Sequence, residues 1–126
     1  MKIYKGVLID QSVADPKAIL DCTEVVSSRV TTLEGESFRG EVTFHNIEVS
    51  EDDLWGVLGK VAEDIKAPGW YFHLVDGQTL YIVLPRAILF AENNGDELNM
   101  IVEYAESQGI HPDQLNLKQL FENPYA

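Results

Sequence analysis

Trp70-Tyr71-Phe72-His73-Leu74-Val75-Asp76-Gly77-Gln78-Thr79-Leu80-Tyr81-Ile82-Val83-Leu84 is the stretch from which the architecture follows. Asp-Gly between two runs of apolar and aromatic residues is the strongest short hairpin signal. A two-residue type I′ turn at Asp76-Gly77 predicts that 70–75 pairs with 78–84. His73 then lies opposite Leu80, Tyr71 opposite Ile82, Phe72 opposite Tyr81 and Trp70 opposite Val83. Side chains alternate across a strand, so one face carries Trp70, Phe72, Leu74, Tyr81 and Val83. The other carries Tyr71, His73, Val75, Leu80, Ile82 and Leu84. Neither face is polar, so helices, other strands or a second subunit must cover both.

Upstream, Ser50 is placed to cap a helix, with Asp53 in the capping-box position and Val49 and Leu54 as the hydrophobic staple. Leu54, Trp55, Val57, Leu58, Val61, Ala62 and Ile65 recur at helical spacing. Glu51, Asp52 and Asp53 complement the helix N-terminus, Lys66 suits its C-terminus, and Pro68-Gly69 ends it. Residues 3–9 read as a first strand, and 11–21 as a loop with one helical turn. Runs at 23–33 and 38–49 form a hairpin through the Gly-containing segment 34–37, and the slip in alternation between Phe44 and Ile47 suits a bulge. Downstream, Pro85-Arg86 kinks the chain ahead of a short strand at 87–91. A second helix begins near Asp96, with Leu98, Ile101, Val102 and Ala105 on one stripe. Gly109 and Ile110 suit its C-terminal motif. Residues 112–126 form a tail whose Leu115, Leu117, Leu120 and Phe121 are able to dock.

This element order predicts one α+β domain over residues 1–126, with a mainly antiparallel sheet and two principal helices. The strand–helix–strand unit at 38–75 matches half of a ferredoxin-like arrangement, an analogy of element order alone. The length of 126 residues suits one core, and 45% hydrophobic residues argue against disorder. A single cysteine, Cys22, precludes an internal disulfide and suits a reducing, cytoplasmic setting. Its acidic neighbours Asp21 and Glu24 disfavour a reactive thiolate.

Charge is the departure from the ordinary: 21 acids against 9 Lys plus Arg give a net of −12. That sign disfavours direct nucleic-acid binding and anionic membranes. It suits solubility, and it suits steering toward a basic protein partner. Five acids and no Lys or Arg lie between Arg39 and Lys60, and six acids and again none between Arg86 and Lys118. Glu51, Asp52, Asp53, Asp96 and Glu97 are therefore the expected partner-binding residues. The expected partner is basic, such as a nuclease or another nucleic-acid-binding protein.

The sequence lacks a phosphate-binding glycine loop, a nucleophile elbow and a His-Glu-x-x-His pair. No cofactor or metal is implied. His45 and His73, on strands flanking one helix, are the only histidines whose placement suggests a pair, with Asp76 or Glu41 as a neighbour for metal or acid–base chemistry. Packing of each ring within the sheet is the competing expectation. The surplus apolar face, with Tyr71, His73, Leu80 and Ile82 and with His45 nearby, suggests a homodimer interface or, alternatively, a ligand or catalytic pocket. The leading expectation is a non-enzymatic, dimeric interaction module. A structural subunit of a larger assembly is a third possibility.

Overall fold

A computed structural model describes residues 2–33, 40–67 and 69–125. In chain order the elements are β1 (Ile3–Ile9), α1 (Pro16–Leu20), β2 (Glu24–Leu33), β3 (Gly40–Ser50) and α2 (Leu54–Asp64). They continue with β4 (Phe72–Val75), β5 (Thr79–Leu84), β6 (Ala87–Glu92), α3 (Gly95–Ser107) and α4 (Leu117–Glu122). The six strands form one sheet in the order β2-β3-β1-β4-β5-β6, antiparallel at every step. The fold is α+β, with α3 of 13 residues and α2 of 11 as the principal helices.

β3 and β4 both run antiparallel to β1, which lies between them, so β3-α2-β4 is a split β-α-β unit. The ferredoxin-like analogy holds for this half only. Leu54, Val57, Leu58 and Val61 of α2 pack with Tyr4, Leu8, Ile47, Phe72, Leu74 and Val83. Leu98, Ile101 and Ala105 of α3, with Leu117 and Leu120 of α4, pack with Val75, Leu80, Ile82 and Leu84. The helices therefore cover opposite faces in three layers. The tail docks on its own chain and supplies the cover that two helices alone would not.

The central hairpin forms with its register moved by two residues. Val75 pairs with Leu80, Leu74 with Tyr81, His73 with Ile82 and Phe72 with Val83. The turn centres on Gly77-Gln78, not Asp76-Gly77. Gly77 has φ +96° while Gln78 stays at negative φ, which marks a type II′ turn. Asp76 precedes the turn because its Oδ1 accepts from the backbone N–H of Gln78 and Thr79 at 2.9 and 2.8 Å. A slip of two preserves parity, so both faces carry the residues expected of them.

Other local expectations are modified. Ser50 does not cap the backbone; its hydroxyl donates to Asp53 at 3.1 Å, and a single 3₁₀ turn, Glu51–Asp53, leads into α2. Trp55 leaves the α2 stripe and is 58% exposed, its ring edge-on to Tyr81. The bulge belongs to β2, where the register shifts between Val25 and Ser27, while β1 and β3 pair without interruption through Phe44–Ser50. Pro85-Arg86 is a tight β5–β6 turn with Arg86 at φ 60°, and its N–H donates to the Ala62 carbonyl at 2.9 Å. At the end of α3, Ile110 N–H donates to the Ala105 carbonyl and Gly109 N–H to that of Glu106, completing a Schellman motif. The expected 34–37 loop and Pro68 lie outside the described residues.

Candidate functional site

Strand direction decides where the acids gather. β3 ends at Ser50 beside the start of β1, because Ile3 pairs with Ser50. β4 ends and β5 begins at the same end of the sheet, because Lys5 pairs with Val75 and Val75 with Leu80. β6 finishes there too, since Glu92 pairs with Thr79, and β2 begins there, since Glu24 pairs with Glu48. Glu51, Asp52 and Asp53 at the entry to α2, and Asp96 and Glu97 at the entry to α3, therefore share one end of the sheet with Glu24, Glu48 and Glu92. All five residues expected at the partner surface are exposed. Asn94 caps α3 by accepting from the N–H groups of Asp96 and Glu97, which leaves the Asp96 carboxylate free of capping duty. Glu97 Oε2 accepts from Glu92 N–H at 3.0 Å.

A cavity of about 490 Å³ opens at this end, with Asp21, Cys22, Glu24, Glu48 and Asp53 in its wall. The Lys60 ammonium donates to Cys22 Sγ at 3.3 Å. Lys2 lies 3.7 Å from Asp76. Burial acts to raise the Asp76 pKa but is outweighed by the N–H groups of Thr79 and Gln78 and by Lys2, so this carboxyl titrates below its ordinary value. Among the described residues, no cluster of three or more His, Cys, Asp or Glu side chains is arranged to hold a metal ion.

The residues expected to line a pocket or dimer face separate into two places. Leu80 and Ile82 are wholly buried under α3 and α4, and His73 is 6% exposed. The Tyr71 hydroxyl donates to the Gln114 carbonyl, and burial pushes its pKa up to about 12. His73 Nε2 lies 2.7 Å from the Pro124 carbonyl. A carbonyl only accepts, so Nε2 carries a proton; burial lowers the ring's pKa to about 4 despite that bond, which keeps it neutral near pH 7. Leu80, Ile82 and His73 are thus interior to the chain, covered by its own C-terminal segment, with Tyr71 half-buried at the edge of that cover.

His45 is not part of it. His45 lies across from Leu8, on the α2 side of the sheet, whereas His73 lies across from Val7 on the other. The suggested His45–His73 pair is therefore divided by the sheet itself. His45 Nε2 instead lies 2.6 Å from Asp10 Oδ1, and Nδ1 lies 2.7 Å from Ser28 Oγ. Nε2–H donates to Asp10, and the Ser28 hydroxyl meets the other ring nitrogen. The order Ser–His–Asp is that of a nucleophile relay, but here Ser28 sits exposed on an edge strand, and the chain of bonds ties β2 and β3 to the 3₁₀ turn after β1. Asp10→Ala leaves the His45 N–H without its acceptor. It is expected to cost about 1–2 kcal/mol and to speed hydrogen exchange in 27–30, read by exchange mass spectrometry.

Two groups of residues escaped the sequence reading. Asp10 and Ser28 are separated from His45 by 35 and 17 positions, with no periodic signal to join them. Met100 and Tyr104, which are 71% and 38% exposed, did leave a trace. They stand four apart, off the buried stripe of Leu98, Ile101 and Ala105, so they form a second apolar row on an otherwise acidic helix. In comparisons with known proteins, no family model, no curated protein and no solved structure matches this chain.

Proposed function

We propose that the chain is a non-enzymatic protein-interaction module whose acidic sheet end receives a basic protein. The observation that carries this is topological: six strand ends and two helix entries converge to bring Glu51, Asp52, Asp53, Asp96 and Glu97 to one end. Carboxylates concentrated on one side of a molecule with net charge −12 steer a cationic partner and suppress anionic ones. A nuclease or another nucleic-acid-binding protein offers the complementary lysine- and arginine-rich surface.

The test is titration calorimetry against a panel of folded basic proteins, nucleases included, at low and high salt. The parent protein is expected to bind at least one member in a salt-sensitive manner. Neutralising the end (E51Q, D52N, D53N, D96N and E97Q together) is expected to weaken that binding about a hundredfold. Neutralising Glu63 and Glu106, at the far ends of the two helices, is expected to weaken it by less than about threefold. Equal losses from the two variants, or no salt-sensitive binding at all, reject the proposal.

A further inference from the structure

β6 is an outer strand of the sheet, and the surface beside it is apolar. Phe90, 65% exposed, lies on the α2 face of this edge against Tyr81, and Met100, 71% exposed, lies on the α3 side of it. A groove of about 460 Å³ runs between β6 and α3, walled by Leu89, Met100, Ile101 and Tyr104, with Glu97 also in its lining. Natural edge strands are ordinarily blunted by lysine, proline or a bulge. β6, with the sequence Ala-Ile-Leu-Phe-Ala-Glu, has none of the three.

The backbone along this border is only partly used. Leu84 and Ala87 flank a two-residue turn, so ladder alternation directs the N–H and C=O groups of Ile88, Phe90 and Glu92 away from β5. At Glu92 the chain satisfies both itself: the N–H donates to Glu97 Oε2 and the carbonyl accepts from Asn94 N–H at 2.7 Å. Ile88 and Phe90 face no further strand among the described residues.

We infer that the β6 border and the groove beside it receive an extended basic segment of a partner protein, added to the sheet as a seventh strand with apolar side chains of one parity in the groove and those of the other against Phe90. The inference rests on the acidic-end proposal and gives that partner a docking mode. Strand addition supplies main-chain hydrogen bonds, while the groove selects alternate side chains. Charge selects the occupant. From Ala87 to Leu117 the chain carries six acids and no Lys or Arg, and Asp96 and Glu103 flank the Met100–Tyr104 row at helical spacing. A second copy would bring its own net −12 and another Glu92 to the same border, so like charges oppose it.

Synthetic peptides test this on the intact protein by fluorescence anisotropy: an alternating Lys-Val peptide, its Glu-Val counterpart, and a Lys-Val peptide N-methylated at alternate residues on one edge or the other. The Lys-Val peptide is expected to bind, and the Glu-Val peptide not. N-methylation on the sheet-facing edge is expected to weaken binding at least about tenfold, and on the outer edge to leave it unchanged. Phe90→Ser and Met100→Ser, both at exposed positions, are each expected to weaken binding by about fivefold or more with an unaltered circular dichroism spectrum. If basic proteins bind at the acidic end but are insensitive to Phe90→Ser, Met100→Ser and N-methylation, the groove inference is overturned and the acidic-end proposal stands. If neither basic proteins nor the Lys-Val peptide binds, both fall. A concentration-dependent dimer abolished by Phe90→Ser makes a second copy the occupant and overturns the inference.

Discussion

Gly6→Ala is expected to cost at least about 3 kcal/mol of folding stability, by the same overpacking that penalises insertion of atoms into a filled core. Gly6 sits on β1 between Ile47 of β3 and Leu74 of β4. A Cβ there would lie 2.0 Å from the His73 carbonyl oxygen and 3.0 Å from Leu74 Cδ2. The first obstacle is backbone, held in the ladder, and has no rotamer by which to withdraw. β4 meets β1 through three residue pairs only, so displacing His73 threatens the join between the two halves of the sheet. Urea unfolding reads the loss as a lower midpoint. Gly59→Ala is the control: its Cβ meets nothing within 4 Å, and it is expected to be neutral or to stabilise by up to about 1 kcal/mol. A Gly6→Ala variant as stable as the parent contradicts this account of the β1–β4 contact.

The second large effect is on pH dependence. Folding holds His73 neutral and moves its pKa from 6.5 to about 4. The unfolded chain therefore takes up the proton first as pH falls. The stability associated with neutral His73 is whole above pH 6.5 and declines through the interval down to pH 4, by about 3 kcal/mol in all. Carboxylates such as Asp76, held below its ordinary value, also lose stability in acid, so the quantity to measure is a difference. Stability of the parent minus that of His73→Gln, from urea unfolding at pH 7, 5.5 and 4, is expected to fall by about 3 kcal/mol across the series. A flat difference shows that His73 is not buried as a neutral ring. Protection of the amides in 112–125, corrected for the intrinsic pH dependence of exchange, is expected to fall over the same interval in the parent, because a charged His73 is relieved by lifting the C-terminal segment that buries it.

What the sequence revealed and what it hid divide along chain separation. α2 and α3 were legible because 3.6-residue periodicity and end signals are local. Both faces of the 72–84 hairpin were legible because apolar parity survives a two-residue slip. The slip itself was hidden, since Asp-Gly reads as the centre of a turn unless the aspartate carboxylate is known to accept from the following N–H groups, as Asp76 does. The cover over Tyr71, His73, Leu80 and Ile82 was underestimated. A six-residue helix, α4, and the residues around Pro124 carry little periodicity yet bring Leu117 and Leu120 onto the sheet. At the candidate site, the acidic stretches were visible as gaps in Lys and Arg. Their convergence was not, because it depends on strand order, and strand order is not written in any local pattern.

The central position of β1 also sets the order in which the molecule can assemble. Its first residues find one neighbour at Ser50 and the other at Val75, so this strand stays unzipped on at least one flank until most of the chain is available to it. The β2–β3, β4–β5 and β5–β6 ribbons close over short distances, but joining them through β1 demands large loops and their entropy. Refolding should thus be governed by a late, topologically demanding insertion of the amino-terminal segment between two preformed ribbons.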